Sequence, residues 1–454
     1  MIRSISRRAA LGLLALGLVA GCAGSAGRSS SATLNRPADA DLPAPVRQVL
    51  RNGLRLIVQE HRAADVVALY LFVGTGVRYE LPDQLGYAHF QEHMLFKGTD
   101  RFGPGYIDRT VEGLGGRSNA TTSFDYTDFY LVLPTEATAT GIELLSDMAF
   151  RSTFVPEEIA REREVIFEEA RIEQDNPRTA ITRQLYGLVF AGTPYGRPVL
   201  GTRETMLAAT QERLRAFNRH YYVPENMTLV VAGPVNPATV RGIVDRTFGR
   251  VPASGYKTAP APIPRPLTGG VRRTVERPEQ QGYLALGWQA PRSDDPSGDA
   301  VDLLTTILAG TESSRLAQRL RDKERLVSSV TMSYSALMGG GIVSLRAEAE
   351  AKDLDQVERI VLEEIAKIQE TGPTEEERRL AVTKFEAQHA FDTETSEGLA
   401  FAYGIAETTW TLEAELRYVD RLRRITREQI RDAARRYLSR TDYARLAFVP
   451  KPVQ

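Results

Sequence analysis

The chain has 454 residues, a formal net charge of −1, 42% hydrophobic and 25% charged residues. At roughly 150 residues per domain this is length for two or three domains. The composition excludes wholesale disorder and a polytopic membrane protein, and the near-neutral charge leaves no electrostatic footprint for nucleic acid. A single cysteine excludes a disulfide framework and a metal site built on several thiolates. With only five histidines, any clustering among them carries information.

Residues 1–22, MIRSISRRAALGLLALGLVAGC, place three arginines and no acid before an apolar run from Ala9 to Ala20. That is the order of an export signal, and the run is shorter than the roughly 20 apolar residues a membrane-spanning helix needs. Val19-Ala20-Gly21-Cys22 resembles a bacterial lipobox, which predicts acylation of Cys22 and a periplasmic protein held to a bacterial membrane by its lipid. Ala23, in place of the aspartate associated with inner-membrane retention, points to the outer membrane. Ser6-Arg7-Arg8 also fits the start of a twin-arginine signal, so that route and the general secretory route both stay open. Residues 23–45, rich in Ala, Ser, Gly, Pro and Asp, read as a flexible tether.

From residue 46 strands and helices alternate. Leu54–Val58 and Val66–Val73 read as strands, Gly86–Lys97 as a helix stopped by Gly98, and Tyr106–Leu114 as a short helix. Arg117–Ser123 and Thr127–Leu133 read as a strand pair. Glu136–Phe150 and Pro156–Asp175 read as long helices, the second with proline in its first turn. Helical stretches fill 179–221, Met227–Ala232 is a strand, and Pro237–Phe248 a last helix. Residues 252–270 hold five prolines and no apolar periodicity, the mark of a linker. The order then recurs. Tyr283–Trp288 matches the strand at 66–73, Ala300–Leu308 the helix ending at Gly98, and Ser314–Lys323 the short helix. Leu326–Met332 and Ile342–Arg346 match the strand pair, Leu354–Gln369 and Pro373–Gln388 the long helices, and Ala444–Val449 the last strand. The pattern predicts an α+β fold of two homologous α/β sandwich domains, 46–251 and 271–454, each an antiparallel-rich sheet with helices packed on it.

Residues 86–99 read GYAHFQEHMLFKGT. Positions i and i+4 of a helix share a face, so His89 and His93 can present two imidazole nitrogens to one metal ion. Glu92 can reach a metal-bound water without being a ligand. A catalytic zinc takes three protein ligands, so a third must come from elsewhere. Helix 156–175 offers Glu157, Glu158, Glu162, Glu164, Glu168, Glu169 and Glu173. Glu162 and Glu169 share a face with Glu158 and Glu173, whereas Glu168 points about 100° away from Glu169. An acid ladder on a helix is ordinarily a solvated face; the incomplete histidine pair makes one of these acids a candidate ligand. His61, His220 and His389 have no matching partners and read as surface or packing residues.

His-x-x-Glu-His is the inverted zinc signature. The segment around it resembles the pitrilysin/insulinase family of zinc peptidases, near its short-chain bacterial branch similar to mitochondrial processing peptidase. The resemblance runs from about residue 46 to 454. It implies one Zn²⁺ per chain, held by His89, His93 and an acid 76 residues beyond the second histidine, which is Glu169. It implies an acidic residue seven before that ligand, Glu162, which supports the site and joins Glu92 as a catalytic candidate. The segment Gly115–Thr122 resembles the family's edge strand, which implies that Asn119 and Ala120 bind a peptide backbone. The second half, whose segment matching the zinc helix has no histidine, would be the domain without metal. There the family offers an arginine and, seven residues later, a tyrosine to the substrate; Arg321 matches, but the tyrosine position is Ser328. The implied activity is a metalloendopeptidase acting on unfolded peptides, Glu92 serving as general base toward the zinc-bound water. Ser328 leads to the expectation that the chain is the zinc-bearing subunit of a heterodimer whose partner supplies the Arg/Tyr pair. A homodimer or monomer in which Tyr334 or another residue compensates is the alternative. The competing function is a non-catalytic scaffold or peptide-binding subunit, although such members generally lose the zinc motif.

Overall fold

A computed structural model describes residues 42–451. The expected export signal with Cys22, and the tether as far as residue 41, lie outside the described residues.

The first half contributes strands β1 (Val46–Val49), β2 (Arg55–Glu60), β3 (Val66–Val73), β4 (Arg117–Thr122), β5 (Thr127–Pro134) and β6 (Met227–Gly233). Its helices are α1 (Tyr87–Met94), α2 (Tyr106–Gly113), α3 (Thr138–Arg151), α4 (Pro156–Asp175), α5 (Pro177–Val189), α6 (Arg203–Leu207), α7 (Gln211–Tyr221) and α8 (Pro237–Arg246). Residues 252–268 carry no regular secondary structure. The second half contributes β7 (Val271–Arg277), β8 (Gly282–Ala290), β9 (Val327–Ala336), β10 (Gly341–Ala349) and β11 (Ala444–Pro450). Its helices are α9 (Gly298–Ala309), α10 (Leu354–Thr371), α11 (Glu375–Asp392), α12 (Ser396–Thr409), α13 (Leu412–Leu416), α14 (Tyr418–Arg424) and α15 (Arg427–Tyr437). A π-helical stretch, Ala317–Lys323, replaces the short helix expected there.

The two sheets run β1-β2-β6-β3-β5-β4 and β7-β11-β8-β10-β9. Setting β1 aside, the permutation is the same, with β2 on β6 and β7 on β11 as the parallel pairs. Two strands escaped the periodicity reading. β1 and β7 both lie at sheet edges and have no fully buried residue, so neither carries a strong apolar signal.

Each sheet is covered on one face by helices of its own half. The first core gathers Phe90, Met94, Phe129, Leu131, Ile142, Ile159 and Phe217; the second gathers Trp288, Leu304, Leu345, Ile365 and Ile430. The other face of each sheet is covered by a helix from the opposite half. Leu399, Ala400 and Tyr403 of α12 pack on Ile57, Ala68, Phe72 and Val230 of the first sheet. Ile181, Leu185 and Val189 of α5 pack on Ala285, Leu446 and Phe448 of the second. This exchange explains why β3, VVALYLFV, is an unbroken apolar run: it is buried on both faces. Close approach needs small residues. A Cβ on Gly287 of β8 would stand 2.7 Å from Val189 Cγ2, and one on Gly404 of α12 would collide with the Phe72 ring. The stretch between Gln388 and Ala444, given no element by the sequence analysis, therefore holds the helix that closes the first half.

Candidate active site

α1 brings both histidines to the mouth of the first half. Its apolar residues Phe90 and Met94 enter the core, which turns His89 and His93 toward α4. α4 presents a stripe of Ile159, Glu162, Ile166, Glu169 and Glu173 at spacings of three and four. Burial of Ile159 and Ile166 against the core forces the acids between them inward. Glu168, off the stripe, pairs with Arg171 on the surface at 2.5 Å.

The result is a three-atom cluster. Glu169 Oε2 lies 3.6 Å from His89 Nε2 and 3.5 Å from His93 Nε2. All three atoms fall within 4.8 Å of one another. Ligand atoms about 2.0–2.1 Å from a tetrahedral zinc stand about 3.4 Å apart, so the spacing suits that ion. Glu169 Oε2 is buried, makes no hydrogen bond of good geometry and faces the two imidazole nitrogens, a position that suits a cation. The donor set fits zinc: two imidazoles and a carboxylate, with room for a fourth ligand.

Glu162 stands behind His93. Its Oε2 is 2.9 Å from His93 Nδ1, and its Oε1 is 2.9 Å from Lys97 Nζ. An Nδ1–H donated to Glu162 leaves the Nε2 lone pair for a metal. Glu162 therefore orients a ligand rather than touching reacting atoms. Glu92 Oε2 is 4.0 Å from His89 Nε2, beside the cluster and not in it.

The protonation states follow from the surroundings. Burial, reinforced by His93, pulls His89 down to about 3, so it is a neutral imidazole. Burial also lowers His93, but Glu162 and Glu169 outweigh it and hold the ring at about 9. Burial opposes ionisation of Glu169, yet His93 and His89 keep its carboxyl below the usual range. A dication bound at Nε2 would take the place of a proton on His93. Burial pushes Glu92 up, against a hydrogen bond from Thr122.

These side chains line a cavity of about 300 Å³ whose wall is β4, from Ser118 to Thr122. β4 is an edge strand, paired only with β5. Asn119 and Ala120 both line the cavity, and the Ala120 N–H donates to Asn119 Oδ1 at 2.9 Å. That N–H is therefore directed away from β5, where a further strand would meet it.

Arg321 and Tyr334 are not brought to the cluster. Arg321 is held by Glu312 and by Asp322, the latter at 2.8 Å, and does not line the cavity. Ser328 hydrogen-bonds Gln281 at 3.0 Å. Tyr334 belongs to the second core and donates to the Pro291 carbonyl at 2.7 Å, which corrects the expectation that it could stand in for the missing tyrosine. One supporting residue was missed. α1 starts at Gly86 with no side-chain cap, and buried Glu80 fills the role: its oxygens accept the Gly86 N–H at 2.9 Å and the Ala88 N–H at 2.8 Å. A capping carboxylate six residues before the N-cap residue Gly86 leaves no local motif to find.

Comparison with known proteins settles the family. "Insulinase (Peptidase family M16)" matches residues 55–203, and "Peptidase M16 inactive domain" matches residues 208–385. The chain belongs to peptidase family M16. An uncharacterized zinc protease of Streptomyces coelicolor is 30% identical over 408 residues, covering 87% of each chain. The uncharacterized zinc protease YmxG of Bacillus subtilis is 29% identical over 73% of this chain and 80% of its own. A Helicobacter pylori protease shares the fold at TM-score 0.84 and 22% identity, covering 90% of this chain and all (100%) of that one. The Escherichia coli periplasmic protease PqqL matches at TM-score 0.75 and 23% identity, over 92% of this chain and 48% of its own length. With zinc proteases matching over most of its length, this M16 chain is a zinc protease, and the group formed by His89, His93 and Glu169 is one that could hold the metal ion. Among the described residues no helix is long and apolar enough to cross a membrane.

Proposed function

We propose that this M16 chain is an endopeptidase for unfolded peptides, that it holds one zinc ion on His89, His93 and Glu169, and that Glu92 moves the proton. The observation that carries this reading is a half-buried carboxylate, Glu92, placed beside but outside a three-residue cluster, with a strand edge along the same cavity. When bound, zinc supplies Lewis-acid polarisation of water and of the scissile carbonyl. A peptide adds to β4 as a further strand; main-chain pairing gives affinity with little regard to side chains, which favours extended substrates. Glu92 takes a proton from the attacking water as its oxygen bonds to the carbonyl carbon. It then hands that proton to the amine nitrogen as the C–N bond breaks.

The deciding variant is Glu92→Gln. It retains a full equivalent of zinc while peptide turnover falls at least about a hundredfold; unchanged turnover removes Glu92 from the role. A scaffold has no use for such a carboxylate. Residues 1–22 support export and lipid attachment through Cys22, hence a periplasmic, membrane-anchored enzyme, with Ala23 favouring the outer membrane. Ser328 and the neutralised Arg321 support a heterodimer whose partner supplies an arginine and a tyrosine. On that reading the zinc-loaded chain alone is nearly inactive and gains turnover when the partner is added. Full activity in isolation discards the heterodimer and leaves the endopeptidase standing.

A further inference from the structure

β9 and β10 alternate between two environments. Met332, Tyr334, Val343, Leu345 and Ala347 face the second core. The opposite face, toward α5, carries Ser329, Thr331 and Ser333 of β9 with Ser344, Arg346 and Glu348 of β10. The register sets Arg346 opposite Thr331. From this polar face Arg346 reaches a recess that it walls together with Arg178 and Arg183, and the recess shares Thr121, Thr122 and Val199 with the cavity at the metal cluster. The groove along β4 therefore runs on past Thr122 to these arginines.

Two of the three are already matched. Arg183 donates to Glu173 at 2.8 Å, and Arg178 to both oxygens of Glu348 at 2.6 and 3.0 Å. Arg346 is different. It is half-buried, its hydrogen bond is to Thr182 Oγ1 at 3.3 Å, and among the described residues it has no ion pair. Burial lowers its pKa, against Tyr186 and Glu348 and with Arg178. A guanidinium still does not lose its proton, so the charge stays partly desolvated and unpaired. The bidentate fork of arginine matches a carboxylate best.

We propose that Arg346 binds a carboxylate of the peptide substrate, on the Thr122 side of the scissile bond, and so selects acidic peptides. The carboxylate is an Asp or Glu side chain, or the peptide's own C-terminus. The inference rests on the peptidase reading and adds a specificity to it. Arg346 does not touch the reacting atoms; it positions the substrate.

The test uses fluorogenic peptides differing only in Asp or Glu against Asn or Gln on that side, each with a free or an amidated C-terminus. The zinc-loaded chain is assayed for kcat/KM, and zinc-loaded Glu92→Gln for binding by fluorescence anisotropy. A charge-assisted pair gives about ten-fold or greater preference for acid over amide. Arg346→Gln brings that ratio close to one, Arg346→Lys keeps part of it, and Arg346→Glu turns it toward lysine peptides. Preference for the internal acid assigns a side chain, and preference for the free C-terminus alone assigns the terminal carboxylate. Equal handling of acid and amide peptides by the wild-type chain overturns the subsite, whether or not the variants fold, and so does an undiminished preference in Arg346→Gln. Cleavage without preference overturns the subsite and leaves the peptidase intact, whereas preferential binding without cleavage by the isolated chain supports the subsite and is what the heterodimer reading expects.

Discussion

His93 shows how much of a metal centre is decided one atom beyond its ligands. Its Nε2 faces Glu169 while Nδ1 is held by Glu162, itself paired with Lys97. Glu162→Gln keeps the volume but removes the charge that fixes the imidazole tautomer. Zinc affinity should fall about 10–100-fold by chelator competition, with the fold unchanged by circular dichroism. Unaltered zinc affinity would show that Lys97 and packing orient His93 without the carboxylate. His89, Glu92 and His93 were legible from i, i+3 and i+4 spacings because a helix converts sequence distance into direction, whereas Glu162 and Glu169 took their roles from the family resemblance. The resemblance chose Glu169 over its neighbour, with the helix face in agreement; in the structure Ile159 and Ile166 turn one stripe of α4 inward and leave Glu168 with Arg171.

At the scale of elements, α1 depends on a residue outside it. Without Glu80 the Gly86 and Ala88 N–H groups would be buried and unsatisfied. Glu80→Ala should cost about 1–3 kcal/mol in denaturant unfolding, with weaker zinc binding because the histidine-bearing turn is loosened. A second device ties the edge of the other sheet. Glu358 of α10 accepts from Arg272 on β7 at 2.7 Å, Arg445 on β11 at 2.8 Å and Tyr443 at 2.6 Å. Burial works against ionisation of Glu358, but Arg272, Tyr443 and Arg445 outweigh it and hold its carboxyl below the usual value near 4.5. The folded state thus binds this proton less readily than the unfolded chain. Its stabilisation is complete above about pH 4.5 and is lost as pH falls through the lowered value. Glu358→Gln should cost about 3–5 kcal/mol at neutral pH, and the gap from wild type should close in acid; thermal unfolding across pH 3–7 checks both. A gap that persists at the acid end would assign the loss to packing instead.

At the scale of the molecule, the halves are stabilised by exchange. α12 covers the outer face of the first sheet and α5 that of the second, so neither half buries its own sheet alone. Asp125 adds a polar tie: it accepts from Arg78 and Tyr195, each at 2.9 Å, and from the Met338 N–H of the β9–β10 turn at 3.0 Å. Residues 42–251 and 252–451 expressed separately should be poorly folded, with amide protons exchanging fast. Mixing them should restore protection, because the exchanged helices regain their sheets. A separately folded first half with protected β3 amides would break this account.

Local chemistry carried the metal motif and the repeated order of elements, because helix and strand periods act over a few residues, while the edge strand beside the metal came from the family resemblance. Which helix closes which sheet depended on chain path: an apolar face says that it must be covered, but the covering segment lies hundreds of residues away. The same holds for charge. Arg321 and Arg346 look alike along the chain; only their surroundings in space leave one matched by carboxylates and the other unpaired at the end of the groove.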